Sequence, residues 1–187
     1  CGFVGKDLYF SVPYRPHGWP AEYVLSTEYT IIAIAVFGTS IAVLTDGQPY
    51  ICTGASPSSL NLVKYQVPAP CQSADGGVPV VGGVIFPGVD GLMLMSTIGV
   101  DNISKKHLSR DEWRAIDATT IRAAKDENVY VAFYGEKGSA EVYDGFMFEP
   151  ADILNGFTLL TSWRVHNIQP DDIGGGAVIT HPVVANP

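Results

Sequence analysis

The sequence predicts an all-β chain made of successive four-stranded antiparallel sheets, and three observations carry that reading. Residues 31–65 hold four short strand-like runs cut apart by three turn signals. Two weaker copies of the pattern begin near residues 80 and 121. The 20 glycines and 13 prolines fall in many short breaks, as turns do in an all-β chain. Starts separated by roughly 40 to 50 residues match the period at which four-stranded blades recur in β-propellers. The expected fold is therefore all-β, a partial β-propeller of four-stranded antiparallel blades with one short capped helix at about 109–117.

Residues 1–30 read as the end of a preceding blade plus a connector. The run Leu8 to Val12 looks like the closing strand of something before residue 1, and the chain opens at Cys1 in mid-pattern, so a fragment of a longer polypeptide is expected. Pro13, Pro16 and Pro20 hold the following connector extended. It carries Tyr14, His17, Trp19 and Tyr23. Two readings stand for these aromatics: staples that fix the connector across a blade, or an exposed patch that contacts a neighbouring subunit.

Residues 31–67 form the clearest blade. Ile31 to Phe37 and Ser40 to Thr45 are apolar and rich in β-branched residues, Gln48 to Thr53 runs back, and Leu60 to Tyr65 half-alternates at the edge. Asp46-Gly47 has the composition of a type I′ hairpin turn. Residues 68–79, PAPCQSADGGVP, read as an exposed, mobile linker. Residues 80–120 form a blade with a break at Pro87-Gly88, a strand after Asp90-Gly91 and an inserted helix. That helix has Ser109 as N-cap, Glu112 three residues later as a capping box, and Leu108 and Trp113 at the staple positions. Asp111 and Glu112 oppose its positive end. Residues 121–161 give a further blade, with turns at Glu127-Asn128 and Gly135 to Gly138. Residues 162–187 read as an incomplete blade or tail interrupted by Gly174-Gly175-Gly176.

Composition narrows the function. The net charge is −8 and no run of Lys or Arg occurs, which disfavours gripping a phosphate backbone. No stretch approaches the ~20 apolar residues of a membrane span. Cys1, Cys52 and Cys71 lack a C-x-x-C pair or a histidine at ligand spacing, so they read as reduced thiols packing as small hydrophobes, which fits synthesis in a cytosol. His17, His107, His166 and His181 have no partner at a zinc-motif spacing, and no cofactor is implied. No G-x-S-x-G, Walker or dinucleotide-binding motif is present. The S-x-D-x-G-x-T-W turn of glycosidase propellers is missing too. Asp46 and Asp90 precede glycines at turns, where Asp serves the backbone. No catalytic, cofactor or metal residue is assigned; the candidate subunit-contact residues are Tyr14, His17, Trp19 and Tyr23.

Two segments carry a resemblance. In residues 9–71 a strand ending Y-F-S is followed by P-H-G-W-P, then F-G-x-x-I-x-V-L-T-D-G-x-P-Y and T-G-x-x-P-x-S; in residues 107–134 an S-R-D-E-W-x-x-I helix precedes Tyr-rich strands. The matching positions include His17, Trp19, Pro20, Gly38, Gly47, Pro49, Tyr50, Pro57, Glu112 and Trp113. These segments resemble propeller-bearing virion proteins of tailed phages, similar to the nozzle (tail tubular B-like) proteins of short-tailed phages, while the last quarter departs from them. The resemblance implies a non-enzymatic component of a virion tail, made in the host cytoplasm. Its implied partners are other copies of itself in a ring, virion neighbours on the adaptor and portal side and on the tail-tip side, and DNA that passes without specific binding. Two other classes stay open. One is a propeller that binds proteins or peptides. The other is a glycan-binding or glycan-processing propeller in which Trp19, Trp113 and Trp163 stack on sugars.

Overall fold

The computed structural model describes residues 1–127, 129–135, 142–148 and 160–166, with 142–144 and 160–166 as backbone. The chain is all-β, with four antiparallel sheets, each a meander in which every strand pairs with the next. Sheet I holds β1 (Gly2–Val4), β2 (Asp7–Tyr9) and β3 (Val24–Ser26); sheet II holds β4 (Ile31–Phe37), β5 (Ser40–Thr45), β6 (Tyr50–Thr53) and β7 (Asn61–Lys64). Sheet III holds β8 (Val78–Val80), β9 (Gly83–Gly88), β10 (Gly91–Met95) and β11 (Val100–Asn102). Sheet IV holds β12 (Arg122–Asp126), β13 (Val129–Gly135), β14 (Val142–Phe148) and β15 (Leu160–His166). The helix α1 (Arg110–Ala115) lies between sheets III and IV in sequence.

Several expectations are corrected. The run at Leu8 is the middle strand of its own three-stranded sheet, not a closing strand. Asp46-Gly47 is not a type I′ turn, because neither residue has positive φ. Thr45 Oγ1 accepts from Gly47 N at 3.1 Å and donates to Gln48 O at 2.8 Å, making a wider loop. The Asp46 carboxylate instead accepts from Thr30 N at 2.9 Å, and the Tyr29 ring packs where a Cβ on Gly47 would sit. Both residues serve the connection from sheet I.

Pro87-Gly88 is not a break but the end of β9, with Pro87 opposite Leu92 and Gly88 opposite Gly91. Pro87 is tolerated because β8 reaches only as far as Ile85, so no strand asks for its missing N–H. Strand β8 starts at Val78, inside the expected linker, and β15 runs on to His166, past the expected end at 161. Glu127 does turn with φ 50, while Asn128 and residues 136–138 lie outside the described residues.

The linker reading fails most instructively. Ala69, Cys71 and Ser73 are buried, because residues 69–76 thread between three sheets and each sheet takes a hydrogen bond. Ala69 N donates to Gly47 O at 3.2 Å and Cys71 N to Thr45 O at 2.8 Å in sheet II; Gln72 N donates to Pro87 O at 2.9 Å in sheet III. Ser73 Oγ donates to Ile121 O at 2.5 Å and Tyr130 Oη to Gly76 O at 3.0 Å, reaching sheet IV. Gly76 is required here, since a Cβ would strike the Pro87 ring at 2.5 Å.

Three apolar clusters fill the spaces between sheets. Leu8, Phe10, Val43, Tyr50 and Cys52 join sheets I and II. Ala33, Ala35, Phe37, Leu44, Val84 and Phe86 join sheets II and III. Ile85, Leu92, Trp113, Tyr130, Phe146 and Phe148 join sheets III and IV beneath α1. The helix forms as its sequence dictates: Glu112 N donates to Ser109 Oγ, and Ser109 N to Glu112 Oε2 at 2.8 Å. It stops at Ala115, two residues short of the expected end, where Ile116 turns extended with ψ 132. Trp113 is 2% exposed, and its Nε1–H meets Gly88 O at 3.0 Å.

The seam makes a testable demand. Ser73→Ala and Tyr130→Phe each leave a buried carbonyl without its donor, so each lowers stability by about 1–3 kcal/mol, measured by urea unfolding. A cost below about 0.3 kcal/mol for both would contradict the seam's role.

Candidate functional site

The candidate contact residues lie on residues 10–23, the excursion between β2 and β3. Pro13 and Pro16 do not hold it extended but start two consecutive tight turns, whereas Pro20 is extended, with φ −65 and ψ 143. Arg15 N donates to Val12 O at 3.0 Å and Gly18 N to Arg15 O at 3.0 Å, placing Pro13 and Pro16 at the second position of each turn. Val12 N closes the pair on Gly18 O at 2.9 Å. Tyr14 therefore takes φ 62, a left-handed conformation that costs a residue with a Cβ on the order of 1 kcal/mol.

The four residues divide. Tyr14 is fully exposed, Trp19 is 47% exposed, and His17 is exposed beside them in sequence. Trp19 Cη2 lies 4.0 Å from where a Cβ on Gly2 would be, so the indole leans on the start of β1. Tyr23 instead turns inward and packs on the cluster of Leu8, Phe10, Val43 and Tyr50. The staple reading thus describes Tyr23, and the exposed-patch reading describes Tyr14, His17 and Trp19. What the residues did not reveal was the strained backbone of Tyr14, although the spacing P-Y-R-P was a signal for paired turns.

Other chemistry-bearing residues hold structural posts. Asp90 pairs with Arg110 at 2.7 Å, and the guanidinium holds its carboxyl below the usual range. Backbone donation from Ser109 likewise lowers Glu112. Lys64 meets Glu28 at 2.7 Å between sheets I and II. Trp113 is buried beneath α1, so it offers no ring to a sugar, which corrects its place in the glycan reading; the Trp163 side chain lies outside the described residues. A cavity of about 180 Å³ beside α1 is lined by Gln72, Val89, Arg114 and Asp117 among others. Among the described residues, no three His, Cys, Asp or Glu side chains gather to hold a metal ion, and no helix is long and apolar enough to cross a membrane.

No protein-family model matches the chain, and no curated protein matches it either.

The cysteines give a direct solution readout. Burial pushes the Cys52 thiol up to about 11, and it pushes Cys71 up to about 12 despite the opposing backbone hydrogen bonding at Ser73. Cys1 is exposed. At pH 8 in native buffer one thiol reacts promptly with a disulfide reagent, and the other two react at least about a hundredfold more slowly until denaturant is added. Three prompt thiols would contradict the packing.

Proposed function

We propose that this chain is a non-enzymatic structural component of a tailed-phage virion, in the tail nozzle or hub that conducts DNA, built as a partial β-propeller. Radial order is supported by which strands meet. The first strand of each four-stranded meander, at residues 31, 78 and 122, is the one that abuts the neighbouring sheet: β4 packs on β8 and β9, and β8 packs on β12 and β13. Sheets that meet at their first strands are what blades around an axis require. The repeat of about 45 residues fits one blade.

The observation that carries the assembly role is the 13–19 loop. It is tied by three backbone hydrogen bonds, yet it holds Tyr14 and Trp19 in solvent. Rigid, exposed aromatics have little entropy to lose and supply contact area, the profile of an interface anchor. Its partners are then further copies of the chain in a ring and the virion proteins on either side. The acidic chain, at −8, would repel passing DNA and leave it unbound. The place of action is the virion tail, after synthesis in the host cytoplasm.

Tyr14→Gly with Trp19→Ala separates folding from assembly. Tyr14→Gly relieves the left-handed strain and Trp19 is half in solvent, so together they change stability by less than about 1 kcal/mol. Assembly weakens by roughly thirtyfold or more, read by sedimentation and electron microscopy of the purified protein. Rings that persist unchanged in the variant, or a parent that stays monomeric at high concentration, would contradict the proposal.

A further inference from the structure

The cavity beside α1 holds about 180 Å³, below the roughly 300–1,000 Å³ of sites that enclose a cofactor or small molecule. Its size suits a single side chain, and its lining says which kind. Val89, Ile116 and Ala118 give it apolar walls, and Gln72, Arg114 and Asp117 add polar groups. Val89, half exposed in the β9–β10 turn, stands at its mouth. One oxygen of Asp117 is occupied, since Oδ1 accepts from Thr119 N at 3.2 Å and from Thr119 Oγ1 at 2.7 Å. The other is left for a donor from outside. Gln72 is fixed by its backbone N–H on Pro87 O, which leaves its side-chain amide facing the cavity. An aromatic ring with one polar end matches this set: its body lies on the apolar walls, the Arg114 guanidinium covers its face, and a phenol O–H donates to Asp117.

The chain presents such a side chain at Tyr14. It is fully exposed at the apex of the 13–19 loop, with the backbone at φ 62. It does not reach the cavity of its own molecule, because the loop belongs to sheet I, the cavity lies beside the packing of sheets III and IV, and sheet II stands between them. The charges also match. Residues 11–21 carry Arg15 and His17 and no Asp or Glu, and both side chains are exposed. On and beside α1, Asp90, Asp111, Glu112 and Asp117 outnumber Arg110 and Arg114. A cationic loop meeting an acidic rim fixes orientation and disfavours wrong partners.

We propose that the cavity beside α1 is the socket for Tyr14 of a second copy of this chain, with Arg15 of that copy set against the acidic rim. The inference rests on the assembly role proposed above and names the surface that receives the 13–19 loop. Loop and socket are different surfaces, so the contact is head-to-tail, the kind that closes into a ring when its rotation allows. A buried Tyr in a fitted pocket is the usual form of an interface hot spot.

Cross-linking of the purified whole chain tests it. Arg15→Cys and Val89→Cys, each in a Cys1→Ser background, both place a thiol at an exposed position. Mixed and treated with a short bismaleimide, the two variants are expected to give a covalent dimer of one copy of each, which neither gives alone. Tyr14→Gly added to the Arg15→Cys variant lowers that yield by about tenfold or more. A second measurement leaves the loop intact. Val89→Trp fills the mouth of the socket from a half-exposed position, and it weakens self-association by about tenfold or more in sedimentation, with no further loss when Tyr14→Gly is added. A parent chain that stays monomeric at high concentration overturns the assembly role and the socket together. A parent that assembles while the mixed dimer is absent, or while Val89→Trp leaves association unchanged, overturns the socket alone.

Discussion

The structure depends on one constraint: the backbone of residues 69–76 crosses the space between sheets II, III and IV, and its polar groups must be paired there. A buried amide or carbonyl without a partner costs roughly 1–3 kcal/mol, so a chain entering this space is held to positions where each sheet offers a partner. Thr45 and Gly47, Pro87, and Ile121 with Tyr130 are those partners. Three sheets are thereby fixed against one thread. The apolar clusters on either side then pack at distances the thread allows, with Gly76 pressed on the Pro87 ring.

A body held this way fits the structural task proposed above. Its sheets meet at their first strands, and their connections repeat the same hydrogen-bonded passage over a turn of the sheet just left. The loop at residues 13–19 departs from this economy. Val12 and Gly18 close it as tightly as a hairpin, yet the side chain at its strained apex meets only solvent. The proposed contact with another molecule accounts for both. Some carboxylates and cations, by contrast, are engaged in caps and pairs such as Ser109 with Glu112 and Asp90 with Arg110.

Much of this was legible in the residues. Runs of Ile, Val and Ala marked sheet II, and Ser109, Glu112 and Trp113 marked the helix, because caps and period-two patterns act within a few residues. What misled was long-range. PAPCQSADGGVP has the composition of a surface linker, but small residues are equally what a narrow gap between sheets admits. Asp46-Gly47 looked like a hairpin turn because its actual obligations, to Thr30 and Tyr29, come from the preceding sheet. Pro87 looked like a break because β8 ends before reaching it. Of the contact residues, the sequence could not separate Tyr23 from Tyr14, since only the fold sets one against the cluster of Leu8 and Phe10 and the other in water.

Scanning calorimetry of the whole chain, followed in parallel by Trp113 fluorescence, tests the central claim most directly. If the 69–76 thread locks sheets II, III and IV together, they melt in one transition whose calorimetric and van't Hoff enthalpies agree. Two separated transitions, with sheet II melting apart from sheets III and IV, would contradict it.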